Sequence, residues 1–502
     1  MSVMTTPLLF ADRFDDINRV REAFDRAGFT AEKVQEAVGK DGFTFLSRGE
    51  RAPVLRRTRG GSPLETLIRL FLCGVPVELG AAQLALAPLT VADWAGAEMV
   101  TVDGSMVAGL MKLRPLPVAG RSWIVPFDSN RRTDHAADYV IGVGPASMTL
   151  AGMTVRPSVA RCLDLGTGSG VQALYASAHA DHVVATDRNA RAVTFAAFTM
   201  ALNSIGNVEA RHGDLFEPVA GERFGLIVSN PPFVISPDAS FDYRDSGLPG
   251  DEICRRIVTE APSHLEEGGW CQLLANWAHL SGTDWRERLG TWIEGTGCDA
   301  WIMQRDIQEV ESYASTWIRH DETDPSATGP VFDAWMDHYE RTGTEAVGFG
   351  LITLRRSASA TPWRHIEELP QDVSLPCGDA ITATFARVSW LAELGDDDRK
   401  LLDAKLTLSD DVRLHERRLA SSGRWIVEDA RLQLEHGLRY TGSTDLPGAG
   451  LVAGCDGSAP VGDLVHRLAD ALGGDPDEIT PQVLPIVRRL IEQGFLTPTT
   501  GQ

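Results

Sequence analysis

Apolar residues in the first third of the chain recur every three or four positions, which is the spacing of an amphipathic helix. The clearest stripe consists of Phe14, Ile17, Val20 and Phe24. The pattern predicts a second short helix over 31–38. A further helix is expected to begin at Ser62, whose hydroxyl can cap a helix that has Pro63 at its first position.

Two alternating apolar runs, at 99–102 and 106–113, flank Asp103 and Gly104. Asp-Gly between alternating runs predicts a β-hairpin. Helices followed by a hairpin are typical of a winged-helix unit.

After residue 160 the pattern changes, and short apolar strands alternate with helical segments such as 190–202 and 252–264. Seven strand-like runs lie at 161–165, 182–186, 208–212, 224–229, 270–275, 300–303 and 348–353. This alternation predicts βαβ units with right-handed crossovers. We therefore expect an α/β fold with a seven-stranded, doubly wound, Rossmann-like sheet.

The small-residue run at 357–362 marks a boundary, and a length of 502 residues suits about three domains. We expect a mostly helical, winged-helix-like domain for substrate recognition at 1–135, and the α/β domain at 136–357. A mixed α+β domain is expected at 358–502. Two amphipathic segments near its end, 461–472 and 483–493, predict a winged-helix-like pair of helices.

The composition is that of a folded, soluble chain, with 43% hydrophobic and 23% charged residues. No stretch reaches the roughly 18 uncharged apolar residues of a membrane span, and the N-terminus lacks the basic flank of a secretory signal. Seven well-separated cysteines without a Cys-x-x-Cys pair predict buried, reduced thiols and no metal site. We expect a cytoplasmic protein without a membrane partner, and the oligomeric state stays open.

The net charge of −22 is unevenly distributed. Residues 1–135 hold 17 Lys and Arg against 16 Asp and Glu, 136–357 hold 16 against 30, and 358–502 hold 14 against 23. An acidic body disfavours non-specific binding to phosphate chains, which depends on clustered cations. If a polyanion binds, we expect its binding site at the arginine run from Arg48 to Arg59 and nowhere else. An arginine-bearing surface loop is, however, the more common explanation of such a run.

A predicted strand leads directly into Gly166, Gly168 and Gly170. Glycine lets a ligand approach the backbone closely, and the N–H groups of the following helix face that ligand. The Gly-x-Gly-x-Gly spacing is one residue shorter than the dinucleotide fingerprint. Asp164, just before the turn, can bind an ammonium group. Together these features favour a ligand without a pyrophosphate.

Two further acids stand at strand ends. Asp187 closes the second predicted strand, where ribose hydroxyls lie in doubly wound nucleotide-binding folds. Asp214 and Leu215 follow the third strand. A lone aspartate in such a place is usually a cap, but three acids at successive strand ends favour a nucleoside-bearing ligand.

The fourth strand ends in Asn230, Pro231, Pro232 and Phe233. Asn-Pro often opens a turn, but here it stands at the switch point where doubly wound folds place their chemistry. The Asn230 side-chain oxygen and the Pro231 carbonyl can accept the two N–H bonds of a planar amino group, and Phe233 offers a stacking face. Catalysis would then be mainly positioning.

These motifs resemble the class I S-adenosylmethionine-dependent methyltransferases. Asn-Pro-Pro-Phe is similar to the motif of amino- and amide-N-methyltransferases. These include release-factor glutamine methyltransferases of the HemK type, small-domain rRNA guanine-amino methyltransferases and adenine-amino enzymes. The resemblance covers about 138–355 and looks like that of an actinobacterial-type, multidomain member. It implies S-adenosylmethionine as the cofactor and N-methyl transfer as the reaction.

The resemblance also implies roles for individual residues. The implied cofactor-binding set is Asp164, Gly166, Thr167, Gly168, Gly170, Asp187, Arg188, Asp214, Leu215 and Asn230. The implied catalytic set is Asn230, Pro231, Pro232 and Phe233. The segment 138–149 stands where the family's chain leads into the core and contacts the cofactor. The segment 243–251 loosely resembles one that follows the motif in the glutamine enzymes, although Phe233 stands where those enzymes usually have tyrosine.

Three functions remain open from the sequence. The first, slightly favoured, is methylation of an sp² nitrogen in a macromolecule, either a protein glutamine or an RNA base, with nucleic-acid binding in the second case. The second is methylation of a small metabolite or peptide. The third is a non-catalytic, cofactor-binding regulator, which the intact glycine loop and Asn230 disfavour. The acidity counts mildly against bulk rRNA but not against a protein substrate.

Overall fold

The structure, a computed structural model, describes residues 14–118, 120–129, 138–237, 247–321, 328–359, 361–395 and 397–499. The chain divides into two compact units. The first comprises residues 1–150 and 157–367, and the second comprises 151–156 and 368–502. The segments predicted as separate N-terminal and α/β domains therefore belong to one unit.

The N-terminal part of the first unit is mostly helical. Its helices are α1 (Phe14–Ala27), α2 (Ala31–Val38), α3 (Gly42–Ser47), α4 (Ala52–Arg57), α5 (Pro63–Leu67), which continues as a π-helical turn over Ile68–Leu72, α6 (Leu79–Leu86) and α7 (Val91–Gly96). A small antiparallel sheet contains β1 (Val77–Glu78), β2 (Val100–Asp103) and β3 (Met106–Gly109), and a separate hairpin contains β4 (Met111–Val118) and β5 (Arg121–Asp128). The helix predicted over 31–38 is confirmed as α2.

The predicted capping of α5 is present in full. The Glu65 backbone N–H donates to the Ser62 hydroxyl at 3.3 Å, and the Ser62 N–H donates to the Glu65 carboxylate at 2.9 Å. This reciprocal pair satisfies two N–H groups that a helix start would otherwise leave unpaired.

The predicted hairpin across Asp103 and Gly104 is confirmed, with Asp103 paired to Met106. The strand predicted over 106–113 is instead divided between β3 and β4. At Gly109 the backbone passes so close to the π-helical turn that a Cβ would lie 2.7 Å from the Leu70 carbonyl oxygen. Strand β3 ends at this residue, and β4 begins at Met111.

The rest of the first unit alternates strands and helices. Its elements are α8 (Pro145–Met153), β6 (Val159–Leu165), α9 (Val171–Ala176), β7 (Ala180–Asp187), α10 (Ala190–Leu202), β8 (Val208–His212), β9 (Phe224–Ser229), α11 (Glu252–Glu260), β10 (Leu265–Leu280), α12 (Trp285–Ile293), β11 (Cys298–Glu309), α13 (Val310–Asp321), α14 (Thr328–Thr342), β12 (Thr344–Arg356) and β13 (Arg364–Glu368). Short 3₁₀ turns lie at Glu217–Val219 and Ala261–His264.

These strands form one sheet in the order β13-β11-β12-β10-β9-β6-β7-β8. Strands β8, β7, β6, β9 and β10 are parallel, whereas β12 runs antiparallel to both β10 and β11. All seven predicted strands are present, and the Rossmann-like, mostly parallel core is confirmed. The strand count of seven was wrong within the described residues, because β13 adds an eighth strand after the predicted boundary.

The sheet reverses its winding direction at β6, which pairs with β7 on one side and with β9 on the other. The chain after β6 proceeds towards β8 and then returns across the sheet to β9. A reversal of this kind opens a crevice at the carboxyl ends of the two strands.

Helix α10 explains why the N-terminal part shares a unit with the sheet. Its side chains enter an apolar cluster that also contains residues of the N-terminal helices; the cluster includes Val20, Phe24, Phe71, Trp94, Phe195, Phe198 and Leu202. At its end, Asn203 accepts from the Ile124 N–H at 2.8 Å and donates to the Ile124 carbonyl at 2.9 Å. The predicted boundary at 135 therefore does not separate two independent cores.

The second unit is mixed α+β. It contains α15 (Gly378–Leu394), α16 (Asp398–Asp403), β14 (Lys405–Leu408), β15 (Val412–Ser421), β16 (Arg424–Leu434), β17 (Thr441–Thr444), α17 (Leu446–Ala453), β18 (Asp456–Pro460), α18 (Val461–Leu472), α19 (Pro476–Gln493) and β19 (Leu496–Pro498). The sheets are β18-β14-β19 and β15-β16-β17. The helix predicted at 461–472 is confirmed, and the helix predicted at 483–493 begins earlier because Asp475 caps it.

All seven cysteines are buried free thiols, as predicted. Within the described ranges, no helix combines the length and the apolar character that a bilayer crossing requires.

We expect Asp128→Ala to lower the free energy of unfolding by about 3–5 kcal/mol, because it leaves a largely buried guanidinium without its counter-charge. The Asp128 side chain is fully buried, and its Oδ2 accepts from Arg191 Nε at 2.9 Å and from the Val140 N–H at 2.9 Å. Urea denaturation measures the change. The control is Glu22→Ala, which breaks an exposed pair with Arg26 and should cost under about 1 kcal/mol. Equal small losses in the two variants would contradict the structural role of the buried pair.

Candidate functional site

A cleft of about 140 Å³ opens at the carboxyl ends of β6, β7, β8 and β9. Its lining comprises Leu165, Gly166, Thr186, Asp187, Arg188, Gly213, Asp214, Leu215, Ser229, Pro231, Pro232, Leu248, Ile253, Arg256 and Ile257. The cleft therefore brings together residues that follow four different strands. Of the predicted site residues, the lining includes Gly166, Asp187, Arg188, Asp214, Leu215, Pro231 and Pro232. The predicted residues outside this lining are Asp164, Thr167, Gly168, Gly170, Asn230 and Phe233.

The glycine loop has an open side and a packed side. Gly166 and Gly168 have φ values of +74° and +55°, and a Cβ on either would meet no atom within 4 Å. Gly170 has φ +85°, and a Cβ there would lie 3.2 Å from Ala196 Cα on α10. The first two glycines leave room for a ligand, whereas the third allows close helix packing.

Asp164 lies beneath this loop and is almost completely buried. Its Oδ2 accepts from the Thr167 hydroxyl at 2.6 Å and from the Ala173 N–H at 2.8 Å. Its Oδ1 is buried without a hydrogen-bond partner. Burial raises the pKa of the Asp164 carboxyl to about 6. The Thr167 hydroxyl thus links Asp164 to the loop, and one buried carboxylate oxygen is left without a donor.

Asp187 ties the end of β7 to the glycine loop. Its Oδ2 accepts from the Gly168 N–H at 2.9 Å, and its Oδ1 accepts from the Asn189 N–H at 2.9 Å. Each carboxylate oxygen has a second lone pair, and Asp187 is only half-buried where it lines the cleft. It can therefore accept further hydrogen bonds from ligand hydroxyls. The neighbouring Arg188 is exposed and also lines the cleft.

The turn after β8 contains an unusual backbone conformation. Leu215 has φ +43°, in the left-handed region that non-glycine residues seldom adopt. Such a conformation costs of order 1–3 kcal/mol and persists only where surrounding structure enforces it. Leu215 and the exposed Asp214 both line the cleft, so this backbone conformation lies in the cleft wall.

Asn230 directly follows the last residue of β9. Its Nδ2 lies 3.4 Å from the Ser147 hydroxyl on α8, and its Oδ1 is buried with no hydrogen-bond partner. Ser147 is itself fixed, because its carbonyl accepts from Gln172 Nε2 at 2.8 Å. A buried acceptor without a donor is costly unless a ligand supplies one. The Asn230 amide is thus held in one orientation, and its Oδ1 has no hydrogen-bond donor.

Phe233 differs from its expected role as an open stacking face. Its ring is 8% exposed and packs against Phe349 on β12, with centroids 5.8 Å apart. It is not among the residues that line the described cleft. Pro231 and Pro232 do line it, so the apolar wall beside Asn230 consists of prolines.

The chain just after the motif is fixed by two tyrosines that sequence reasoning missed. The Ile235 N–H donates to the Tyr313 hydroxyl at 3.2 Å, and the Tyr339 hydroxyl donates to the Ile235 carbonyl at 2.8 Å. Asn276 Nδ2 also donates to the Tyr313 hydroxyl, at 2.6 Å. These tyrosines come from α13 and α14, and no local sequence signal connects them with a motif about 80 to 100 residues earlier.

Residues of α11 that line the cleft were also missed: Ile253, Arg256 and Ile257. Their sequence signal is an amphipathic stripe, which is more typical of ordinary core packing. Within the motif-like segment 243–251, residues 243–246 lie outside the described residues. Asp251 accepts from the Ala278 N–H at 2.9 Å and pairs with Arg288, so it supports the fold.

The polar and apolar groups in and beneath this cleft fit S-adenosylmethionine. A buried carboxylate oxygen of Asp164 can receive an ammonium group, and Asp187 can receive ribose hydroxyls. The open side of the loop at Gly166 and Gly168 admits a chain close to the backbone. Leu215 and Ile257 provide apolar surface for an aromatic ring.

Comparison with known proteins supports this assignment. Residues 142–284 match the methyltransferase small domain, and residues 26–110 and 382–498 match domains of unknown function (DUF7059 and DUF7782). The release factor glutamine methyltransferase of Xylella fastidiosa (strain Temecula1) is 37% identical over 129 residues, which cover 23% of this chain and 47% of that protein. The ribosomal RNA small subunit methyltransferase C of Alcanivorax borkumensis is 34% identical over 117 residues, covering 23% of this chain and 32% of that protein.

The chain thus spans less than half the length of these curated relatives. Among solved structures, the 16S rRNA methyltransferase RsmC of T. thermophilus, in complex with AdoMet and guanosine, is 16% identical. The matched part comprises 51% of this chain and 66% of the RsmC chain, with a TM-score of 0.27. The family match confirms the predictions of a methyltransferase domain, and hence of an enzyme domain, with S-adenosylmethionine as its cofactor.

We expect Asp187→Ala to weaken S-adenosylmethionine binding by about 10- to 100-fold, since hydrogen bonds to a charged group contribute about 1.5–3 kcal/mol. Isothermal titration calorimetry measures this affinity. The control is Asp181→Ala on the same strand, an exposed position that should leave binding unchanged. Unchanged affinity in the Asp187 variant, or tight NAD binding without S-adenosylmethionine binding, would contradict the assignment.

Proposed function

We propose that this chain is a cytoplasmic enzyme that transfers a methyl group from S-adenosylmethionine to a planar amino or amide nitrogen of a macromolecule, either a protein glutamine or an RNA base. The observation that carries the proposal is the unpartnered, buried Oδ1 of Asn230 beside the proline-lined cleft. An acceptor in this place suits a substrate that donates N–H bonds.

The residues of the motif would act by holding the acceptor nitrogen. Asn230 Oδ1 and the Pro231 carbonyl accept its two N–H bonds, which directs the nitrogen lone pair towards the cofactor side of the cleft. The bound cofactor supplies an electrophilic methyl group. Pro231 and Pro232 restrict the backbone, so the carbonyl is positioned before the substrate binds. Catalysis of this kind depends on orientation rather than on a strong base.

Two further observations support the choice of substrate class. The relatives named above act, by their names, on a release factor and on ribosomal RNA, which are both macromolecules. In addition, α4 carries exposed cations at Arg56 and Arg57, and Arg59 follows in the next turn. These cations provide a surface for a polyanion on an otherwise acidic chain.

We expect Asn230→Ala to lower the rate of methyl transfer about a hundredfold or more while the affinity for S-adenosylmethionine stays nearly unchanged, because orientation of the acceptor is lost. Ser147→Ala should lower kcat by a smaller factor, since the Asn230 amide can then rotate. Single-turnover transfer and calorimetry separate the two effects. The matched control is Ser105→Ala, an exposed serine in the β2–β3 turn. Full turnover by the Asn230 variant would show that this motif does not hold the acceptor.

We expect the combined change of Arg56, Arg57 and Arg59 to Ala to weaken the binding of an RNA substrate. The salt dependence of that binding should also fall, by up to the equivalent of about three phosphate contacts. A protein or small-molecule substrate should show neither change. Steady-state KM at several salt concentrations measures the effect, with Arg19→Ala and Arg26→Ala on α1 as the control. A salt-independent KM in both proteins removes RNA from the proposal. Deletion of residues 1–120 is unsuitable here, because it would expose the apolar cluster shared with α10.

A further inference from the structure

Strands β15 and β16 form a long hairpin whose outer part has little packing on either face. The backbone pairing is continuous from Val412 and Leu434 to Ser421 and Arg424 at the turn. Residues 413–428, here called the arm, are exposed except for the half-buried Leu419 and Val427. At about 3.3 Å per residue, the arm extends on the order of 25 Å.

The root of the hairpin is fixed within the second unit. Ala430, Leu432 and Leu434 are buried, and residues 430–433 pair with β17. The arm is therefore a projecting extension of an anchored sheet.

The arm exposes large apolar side chains that contribute nothing to a core. Trp425 is 71% exposed, and Ile426 and Leu414 are 46% and 44% exposed. Among the residues whose side-chain exposure the structure gives, no other tryptophan or phenylalanine is exposed. An exposed indole next to a hairpin turn is available to stack on a planar partner.

The hairpin that contains the arm has a net positive charge, although the unit around it is acidic. Residues 412–434 contain five arginines against three acidic residues, a net +2, whereas the remaining residues of 358–502 hold 9 Lys and Arg against 20 Asp and Glu, a net −11. Directly paired residues share a face of a hairpin. The register places Trp425 on one face with Arg418, and the opposite face carries Asp429 together with Arg413, His415, Arg417, Arg424 and Arg431.

Three of these arginines already have acidic partners. Arg417 pairs with Glu428 at 2.9 Å, Arg431 with Asp429 at 2.9 Å and Arg413 with Glu435 at 3.3 Å. The three arginines are exposed and their acidic partners are exposed or, for Asp429, half-buried, and exposed pairs contribute only about 0–1 kcal/mol each. A phosphate group can therefore replace the acidic partner at little cost.

An arm with an exposed tryptophan and a basic face fits RNA better than a second copy of the chain. Strand β15 is at the edge of its sheet, and charged side chains along an edge oppose pairing with another edge strand. Base stacking on an aromatic ring, combined with arginine contacts to the backbone, is the common way of binding unpaired nucleic acid.

We propose that the arm binds RNA with unpaired bases that passes over the end of the hairpin, where Trp425 on one face stacks on a base and Arg424 and Arg417 on the other face contact the phosphates. This proposal rests on the proposed function and specifies RNA as the macromolecular substrate. The binding itself requires no methyl transfer and can be measured separately.

The test uses the full chain, a fluorescein-labelled single-stranded RNA of mixed sequence, and fluorescence anisotropy at several salt concentrations. Trp425→Ala should weaken binding about tenfold or more, because one stacked base is lost. Arg417→Ala combined with Arg424→Ala should weaken binding and lower the slope of log affinity against log salt by about 1.4, the value for two phosphate contacts on a single strand.

Matched controls lie outside the arm. Leu84→Ala removes a 74% exposed apolar side chain, and Arg399→Ala with Lys400→Ala removes two exposed cations from α16. Both should bind RNA like the unmodified protein. Circular dichroism confirms that each variant is folded.

The proposal is overturned if the unmodified chain binds no RNA, or if the arm variants and the controls bind equally well. It is also overturned if Trp425→Ala alters only self-association in analytical ultracentrifugation or only binding to a protein substrate. None of these results affects the proposed methyl transfer, which instead fails if Asn230→Ala retains full turnover.

Discussion

The backbone pairing of β6 with β9 is the constraint on which the candidate site depends. Leu165 is paired with Ser229, so the glycine loop and the Asn-Pro-Pro-Phe turn start side by side, although 64 residues separate them. The Ser229 hydroxyl donates to the Leu165 carbonyl at 2.8 Å and strengthens this junction. A shift in register would move Asn230 away from the loop, and none of the later contacts would form.

Side-chain contacts then refine what the pairing establishes. Asp187 holds the loop from one side through Gly168, and Asp164 holds it from beneath through Thr167. Ser147 orients the Asn230 amide. Asp164 and Asn230 each use one polar atom in these contacts and keep a buried oxygen without a donor, so the site is held in place and still retains unused acceptors. Such preorganisation is what a mechanism based on positioning requires.

The sequence predicts the parts of this protein that are governed by local patterns. The seven strands, the start of α5 and the hairpin at Gly104 follow from periodicity and turn chemistry, which act over a few residues. The Gly-x-Gly-x-Gly loop and Asn230 follow from motifs of equally short range. The arrangement of these motifs at one edge of the sheet follows from the rules of the doubly wound fold.

Features that depend on distant packing could not be predicted in this way. The apolar residues of α10 show that the helix is buried, but not that they join the N-terminal core. Phe233 has the sequence of a stacking residue, and only the position of Phe349 shows that its ring is covered. The net charge of the C-terminal third does not indicate the arm, because the acidic residues around the basic hairpin outnumber its arginines.

The central claim is that the cleft at the β6–β9 junction directs methyl transfer to a macromolecule. Radiolabelled S-adenosylmethionine added with the purified chain to a cell lysate, followed by separate RNase and protease digestion, tests this most directly. The account predicts label in the macromolecular fraction that one of the two digestions removes. Label confined to small molecules, or absent from every fraction while the cofactor binds, would contradict it.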